Sequence, residues 1–264
     1  MKQQAFETKQ TSSRRLEGKI AIITGASRGI GLAAARTFAQ EGSAVVLAAR
    51  NTDAMASAVE EITANGGKAM AIETDVTAST SVEHLVAQTI ETYGRLDIAF
   101  NNAGVNAAGH PLAEVGEEEY DPVLTANLKG IFLAMKYEIR AMLHTGGGAI
   151  VNTSSVGGLV ANYNISPYIA SKHGVIGLTK AAALEYAKQG IRVNAVAPGA
   201  TLTEMLEDWQ AHEPGLRERL EQATPMGRLA DPMEIVWPVI WLCSDEASYI
   251  TGITLPIDGG RTIA

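Results

Sequence analysis

Thr24-Gly25-Ala26-Ser27-Arg28-Gly29-Ile30-Gly31 is the stretch whose reading decides the fold. It follows Ile20 to Thr24, a run of β-branched and apolar residues that reads as a strand, and it leads into Leu32-Ala33-Ala34-Ala35, the body of a helix. A glycine-rich turn between a first strand and a first helix presents backbone N–H groups at the positive end of the helix, where a pyrophosphate binds. Gly25 permits the tight turn off the strand; Gly29 and Gly31 let the backbone come close to the ligand. Such glycines also serve ordinary turns, and it is the position between strand and helix that favours the phosphate reading.

Working outward, short apolar runs alternate with longer segments of helical periodicity, the pattern of βα repeats around a parallel sheet. Seven strands are expected, at Ile20 to Thr24, Val45 to Arg50, Ala69 to Thr74, Ile98 to Asn101, Ala149 to Thr153, Arg192 to Ala197 and Thr254 to Ile257. The first four read as near-continuous apolar runs covered by helices on both faces. Helices are expected at Gly29 to Gln40, Asp53 to Asn65, Ser79 to Tyr93, Glu117 to His144, Pro167 to Lys188 and Pro232 to Leu242. Ser166 and Asp231 read as N-caps before a first-turn proline, Gly190 as a left-handed C-terminal glycine, and Pro238 as a kink or early stop. The fold class is therefore α/β: a single-domain Rossmann fold with a doubly wound, seven-stranded parallel sheet. Residues 18–264 form the domain, residues 1–17 a flexible tail (a transit peptide is the alternative), and 200–225 a substrate lid.

Of the 264 residues, 46% are hydrophobic and 19% charged, enough apolar material for a large core. Twenty-one Lys and Arg against 29 Asp and Glu leave a formal charge of −8, which argues against nucleic acid or an anionic membrane as partner. Cys243 is the only cysteine, so no internal disulfide forms, and a reducing, cytoplasmic setting fits. Five scattered histidines without ligand spacing predict no metal site. Glu117-Glu118-Glu119 reads as a solvated helix start, and Cys243 as a small buried apolar residue.

An NAD site of this kind carries an Asp or Glu about 20 residues past the glycines, on the ribose hydroxyls. Here that place holds Ala48-Ala49-Arg50-Asn51. Arg50 stands where a 2′-phosphate would lie, and Arg28 can add a second positive charge. One charge-assisted hydrogen bond of ~1.5 to 3 kcal/mol favours NADP(H) over NAD(H) by roughly 10- to 150-fold.

Tyr168 and Lys172 lie four residues apart, on one face of the fifth helix. An ammonium ~4 Å from a phenol contributes ~4 kcal/mol at an effective dielectric of ~20, enough to bring a tyrosine near pH 7 as a general acid or base. The same spacing is common in ordinary packing.

With these residues in view the chain resembles the short-chain dehydrogenase/reductase family, over about Leu16 to Gly260, and especially its 3-oxoacyl carrier-protein reductase-like members. Thr24 to Gly31 matches TGxxxGIG, Asn101-Asn102-Ala103-Gly104 matches NNAG, Tyr168 to Lys172 matches YxxxK, and Pro198-Gly199 with Thr203 matches the segment closing over the nicotinamide. The resemblance implies that Tyr168 exchanges the proton, Ser155 (rather than adjacent Ser154) holds the substrate oxygen, Lys172 binds ribose and lowers the tyrosine pKa, and Asn127 positions a relay water. It further implies cofactor contacts from Gly25, Ser27, Arg28, Gly29, Ile30, Gly31, Arg50, Asp75, Val76, Asn102, Ala103, Gly104, Pro198, Gly199, Thr201 and Thr203.

The expected activity is NADP(H)-dependent hydride transfer between nicotinamide and a small ketone or secondary alcohol. Met205, Leu206 and Trp209 of the lid are candidate substrate contacts. A 3-oxoacyl carrier-protein reductase is the alternative, although the neighbouring helix ends offer few basic residues for an acidic carrier. A catalytically silent NADP-binding regulator is a second alternative, opposed by the intact Ser155, Tyr168 and Lys172. Ala170, Gly174, Gly177 and Ala181 form a small-residue stripe that admits another backbone. With the resemblance, it points to a homo-oligomer, a tetramer or else a dimer.

Overall fold

Neighbouring residues of the inner strands point into two separate apolar layers. In the computed structural model, which describes residues 14–264 other than Ala108 and Pro214, the strands are β1 (Ile20–Thr24), β2 (Ala44–Ala49), β3 (Lys68–Glu73), β4 (Ile98–Asn101), β5 (Gly148–Thr153), β6 (Ile191–Pro198) and β7 (Thr254–Ile257). All pair in parallel, in the order β3-β2-β1-β4-β5-β6-β7. Ala21, Ile23, Leu47 and Phe100 enter one layer with helices α1 (Gly29–Gln40), α2 (Thr52–Ala64) and α9 (Pro232–Cys243). Ile22, Val46, Ala99 and Ile150 enter the other with α3 (Ser79–Tyr93), α5 (Gly130–Thr145) and α6 (Ser166–Tyr186). The order reverses between β1 and β4, so their C-terminal ends open a crevice where a ligand binds in such sheets.

Several local expectations change. β3 lies at the sheet edge with Ile72 as its one buried residue, so it is not covered on both faces. The expected helix from Glu117 to His144 is interrupted: α4 (Glu117–Leu124) passes through a π-helical turn at Thr125–Lys129 before α5 begins. Ser166 is the first residue of α6 rather than its cap, and its buried Oγ has no partner among the described residues. Asp231 does cap α9, in a capping box with Glu234. Pro238 does not end that helix, which continues to Cys243. Gly190 is left-handed at φ 76°.

Residues 1–13 of the expected tail lie outside the described residues. Residues 14–17 are bound to the domain: Leu16 is fully buried, its N–H donates to the Glu41 carbonyl at 3.0 Å, and the Arg15 N–H donates to Glu41 Oε2 at 2.8 Å. The lid contains two helices that sequence periodicity does not announce, α7 (Glu204–His212) and α8 (Leu216–Gln222).

Candidate active site

The glycine loop leaves β1 at Gly25, whose φ of 67° is left-handed. A Cβ there would stand 2.9 Å from Ala103 Cα, and one at Gly31 would run into the Gly25 carbonyl. The space at these two glycines is thus filled by the protein itself, which lets α1 and the Asn102-Ala103 turn close on the end of β1. Thr24 Oγ1 completes the junction by accepting the N–H groups of Asn102 and Ala103 at 3.0 and 3.1 Å. The motif includes Thr24 but does not announce its role as this joint.

Arg28 is the N-cap of α1 without a side-chain cap bond, and no acidic residue occupies the first turn. An uncapped, positively polarised helix end behind a glycine cradle fits a dinucleotide pyrophosphate. Ser27 and Ile30 are partly buried in that loop.

Beyond β2, Arg50 is exposed and makes no salt bridge among the described residues. It lies close enough to Asp75 to stabilise that carboxylate, although the bonds from Thr77 Oγ1 (2.7 Å) and Thr77 N–H (2.9 Å) do more to hold Asp75 below its ordinary value. Val76 packs across the helix start: a Cβ on Gly130 would lie 3.2 Å from Val76 Cγ2. Arg28 instead donates to Asp208 of α7 at 2.9 Å.

Ser155, Tyr168, Lys172 and Asn127 converge at the C-terminal ends of β4 and β5. Ser155 Oγ accepts the Gly157 N–H at 3.1 Å, and a Cβ on Gly157 would lie 3.2 Å from Tyr168 Cε1, so the serine turn and the tyrosine ring adjoin. Ser154 turns the other way and donates to the Lys172 carbonyl at 2.9 Å. The Lys172 ammonium is buried, donates to the Thr153 carbonyl at 2.9 Å, and lies over the Tyr168 ring 5.6 Å from its centroid. Burial lowers the ammonium to about 8.

The expected acidification of Tyr168 by Lys172 is not found. Burial pushes the phenol above its ordinary value and the neighbouring Ser155 hydroxyl only partly offsets this. The ammonium is engaged by the Thr153 carbonyl and lies over the ring, and removal of the phenol from water is the larger effect. A phenol in this state keeps its proton at neutral pH, which is the form that donates.

Asn127 is fully buried within the π turn, the kind of helix irregularity often found at functional sites. Its amide forms a pair of hydrogen bonds with the Val105 backbone, Oδ1 accepting at 2.8 Å and Nδ2 donating at 2.9 Å, and Nδ2 also donates to Ser171 Oγ at 3.3 Å. A Cβ on Gly104 would lie 3.0 Å from Asn127 Oδ1 and 3.6 Å from Lys172 Nζ, so these three residues adjoin.

Beneath them lies a polar floor that sequence reasoning missed. Asn101 Nδ2 donates to Glu138 Oε2 at 2.9 Å and to Asn152 Oδ1 at 3.1 Å. Glu138 is 1% exposed, and burial pushes its carboxyl up to about 7. The available signal was a lone carboxylate four residues after Ala134 and four before Met142, inside an apolar helical stripe.

At the other wall, Pro198 ends β6, Gly199 packs within 2.9 Å of Asp258 Cα at its Cβ position, and Thr201 Oγ1 donates to the Gly199 carbonyl at 3.0 Å. Thr203 is the N-cap of α7. Leu206 is buried against Leu216 and Leu229, with Trp209 partly buried on the same cluster, so both face the interior of the lid; Met205 is partly buried.

The family model described as enoyl-(acyl carrier protein) reductase, adh_short_C2, matches residues 25–262. The chain belongs to the short-chain dehydrogenase/reductase family. It is 49% identical over 249 residues to the A-factor type γ-butyrolactone 1′-reductase (1S-forming) of Streptomyces virginiae, covering 94% of this chain and 97% of that protein. With cyclohexanol dehydrogenase of Acinetobacter sp. strain SE19 it shares 42% identity over 250 residues, 95% and 97% of the two chains. Among solved structures, a candidate NAD(P)-dependent gluconate 5-dehydrogenase from Beutenbergia cavernae, holding NADP at low occupancy, superposes with a TM-score of 0.89 at 35% identity, covering 96% of this chain and all of that one. As a member of this family the chain is an oxidoreductase that uses a nicotinamide cofactor and acts on small molecules. No helix among the described residues is long and apolar enough to cross a membrane.

Proposed function

We propose that the protein is an NADP(H)-dependent reductase of small ketones, run in reverse as a secondary-alcohol dehydrogenase, with a carbonyl on or beside a ring as substrate. The observation that carries this reading is the convergence of Ser155 and Tyr168 on the Gly157 turn with the Lys172 ammonium buried alongside. A bound nicotinamide supplies the hydride. Tyr168 gives its proton to the carbonyl oxygen as that oxygen gains charge, and Ser155 donates a hydrogen bond to the same oxygen. Lys172 holds the ribose, and Asn127 fixes the Val105 backbone and the π turn beside it.

The phosphates rest on Gly25 to Gly31. Asp75, Val76 and Asn102 to Gly104 line the adenine and ribose channel, while Pro198, Gly199, Thr201 and Thr203 face the carboxamide. Arg50 and Arg28 bind the 2′-phosphate; the NADP in the Beutenbergia cavernae neighbour supports that choice. The names of the two curated relatives, a butyrolactone and a cyclohexanol enzyme, support a ring compound.

Residues 18–264 act as one catalytic unit in the cytoplasm. A homotetramer is the expected assembly: Gly174 of the small-residue stripe is filled internally by Leu128, whereas a Cβ on Gly177 would meet nothing within 4 Å, leaving open an apolar groove with Leu124, Phe132 and Leu178.

A panel of cyclic ketones, acyclic ketones and 3-oxoacyl thioesters, each with NADPH and with NADH, tests the reading through the loss of dinucleotide absorbance. Fastest turnover is expected for cyclic ketones with NADPH. Turnover confined to acyl thioesters, or equal rates with NADH, contradicts it.

A further inference from the structure

Helix α7 meets the phosphate loop with its acidic end. Glu204 and Glu207 lie in its first turn and Asp208 follows. A Cβ on Gly29, whose φ is 54°, would stand 3.2 Å from Thr203 Cγ2 and 3.4 Å from Glu204 Oε2. On the same turn, Arg28 Nη1 donates to Asp208 Oδ2 at 2.9 Å. One steric and one ionic contact therefore seat the lid on the loop, and both bring carboxylates to a place built to receive an anion.

We propose that Asp208 is a specificity-determining residue for the dinucleotide: in the free protein its carboxylate holds the guanidinium that a 2′-phosphate would take. The proposal rests on the NADP(H) reading given above. A 2′-phosphate beside an intact Arg28–Asp208 pair would meet a like charge, so it binds Arg28 fully only when Asp208 gives way. Both partners are more than half exposed, at 53% and 66% of their side chains. An exposed pair of this kind shifts an equilibrium by at most about fivefold, which a phosphate with charge-assisted hydrogen bonds outweighs. NAD(H), with a hydroxyl at that position, leaves the pair intact. The adenosine end of the cofactor is thereby coupled to the lid that carries Met205, Leu206 and Trp209, and by linkage the lid position feeds back on NADP(H) affinity.

Isothermal titration of NADP⁺ and NAD⁺ into the wild type, Asp208→Asn, Arg28→Ala and the double variant tests this without relying on turnover. Asp208→Asn is expected to tighten NADP⁺ about two- to fivefold, to leave NAD⁺ unchanged, and to have no effect in the Arg28→Ala background. The gain should shrink in 0.5 M salt, added here as a screening control at roughly a 4 Å Debye length. Unchanged or weaker NADP⁺ binding, an equal shift for both dinucleotides, or a shift that persists without Arg28 overturns the proposal. Should the wild type bind NAD⁺ as tightly as NADP⁺ and Arg28→Ala alter neither, the cofactor reading itself has failed, a pattern distinct from the failure of Asp208 alone.

Discussion

The two ends of the site are built on opposite terms. Around Tyr168 the polar groups are buried: Ser154, Lys172, Asn101 and Glu138 each have a short bond to a partner on a strand end or helix, and Asn127 is held by the Val105 backbone. Around Arg28 and Arg50 the charges are exposed, and the contact that fixes Arg28 is an ion pair to a lid helix. Buried groups are governed by desolvation, so their protonation moves far from ordinary values; exposed ones are governed by screened, exchangeable pairing. On the proposed function, proton transfer belongs to the buried end and cofactor choice to the exposed one.

Replacing the buried carboxylate strains this contrast most. An unfolded glutamate ionises near 4.5 and Glu138 in the fold at about 7. Its contribution to stability is therefore complete below pH 4.5 and is lost as the pH rises through 7, a difference on the order of 3 kcal/mol. Glu138→Gln keeps an oxygen for Asn101 and removes the buried charge. Urea unfolding should find it about 1 to 3 kcal/mol more stable than the wild type at pH 8 and nearly equal at pH 5; equal differences at both values would show that the carboxyl does not titrate as its burial requires.

At the exposed end, Arg50→Asp is expected to shift the NADPH to NADH ratio of kcat/KM by roughly 10- to 150-fold toward NADH, the worth of one charge-assisted contact. An unchanged ratio would remove Arg50 from cofactor selection. The smallest effect belongs to Asp208→Asn, whose two- to fivefold change in NADP⁺ affinity sharpens the contrast by showing how little free energy an exposed pair commits.

Much of this arrangement is readable in the chain. Apolar runs of five or six residues, such as Ile20–Thr24 and Ala44–Ala49, mark the inner strands because both faces are covered, and the glycine turn follows the first of them directly. The edge strand Lys68–Glu73 reads like the others yet lies half in solvent, since its position in the sheet is set by long-range pairing rather than by local composition. The π turn at Thr125–Lys129 carries no glycine or proline; one extra residue per turn changes the helical phase without changing residue type. Helices α7 and α8 are nine and seven residues long, too short for a periodic stripe to stand out. The direction of the Tyr168 shift is not legible for a different reason: spacing brings the ammonium to the right face but does not say how far the fold removes the phenol from water.

The central claim is that Tyr168 delivers the proton to a reducible carbonyl, and Tyr168→Phe addresses it with the loss of a single oxygen atom. Turnover with NADPH and the best cyclic ketone should fall about 10²- to 10⁴-fold, while the NADPH dissociation constant measured on the same preparation stays within about twofold, a shift worth roughly 0.4 kcal/mol. Near wild-type turnover in that variant would contradict the account.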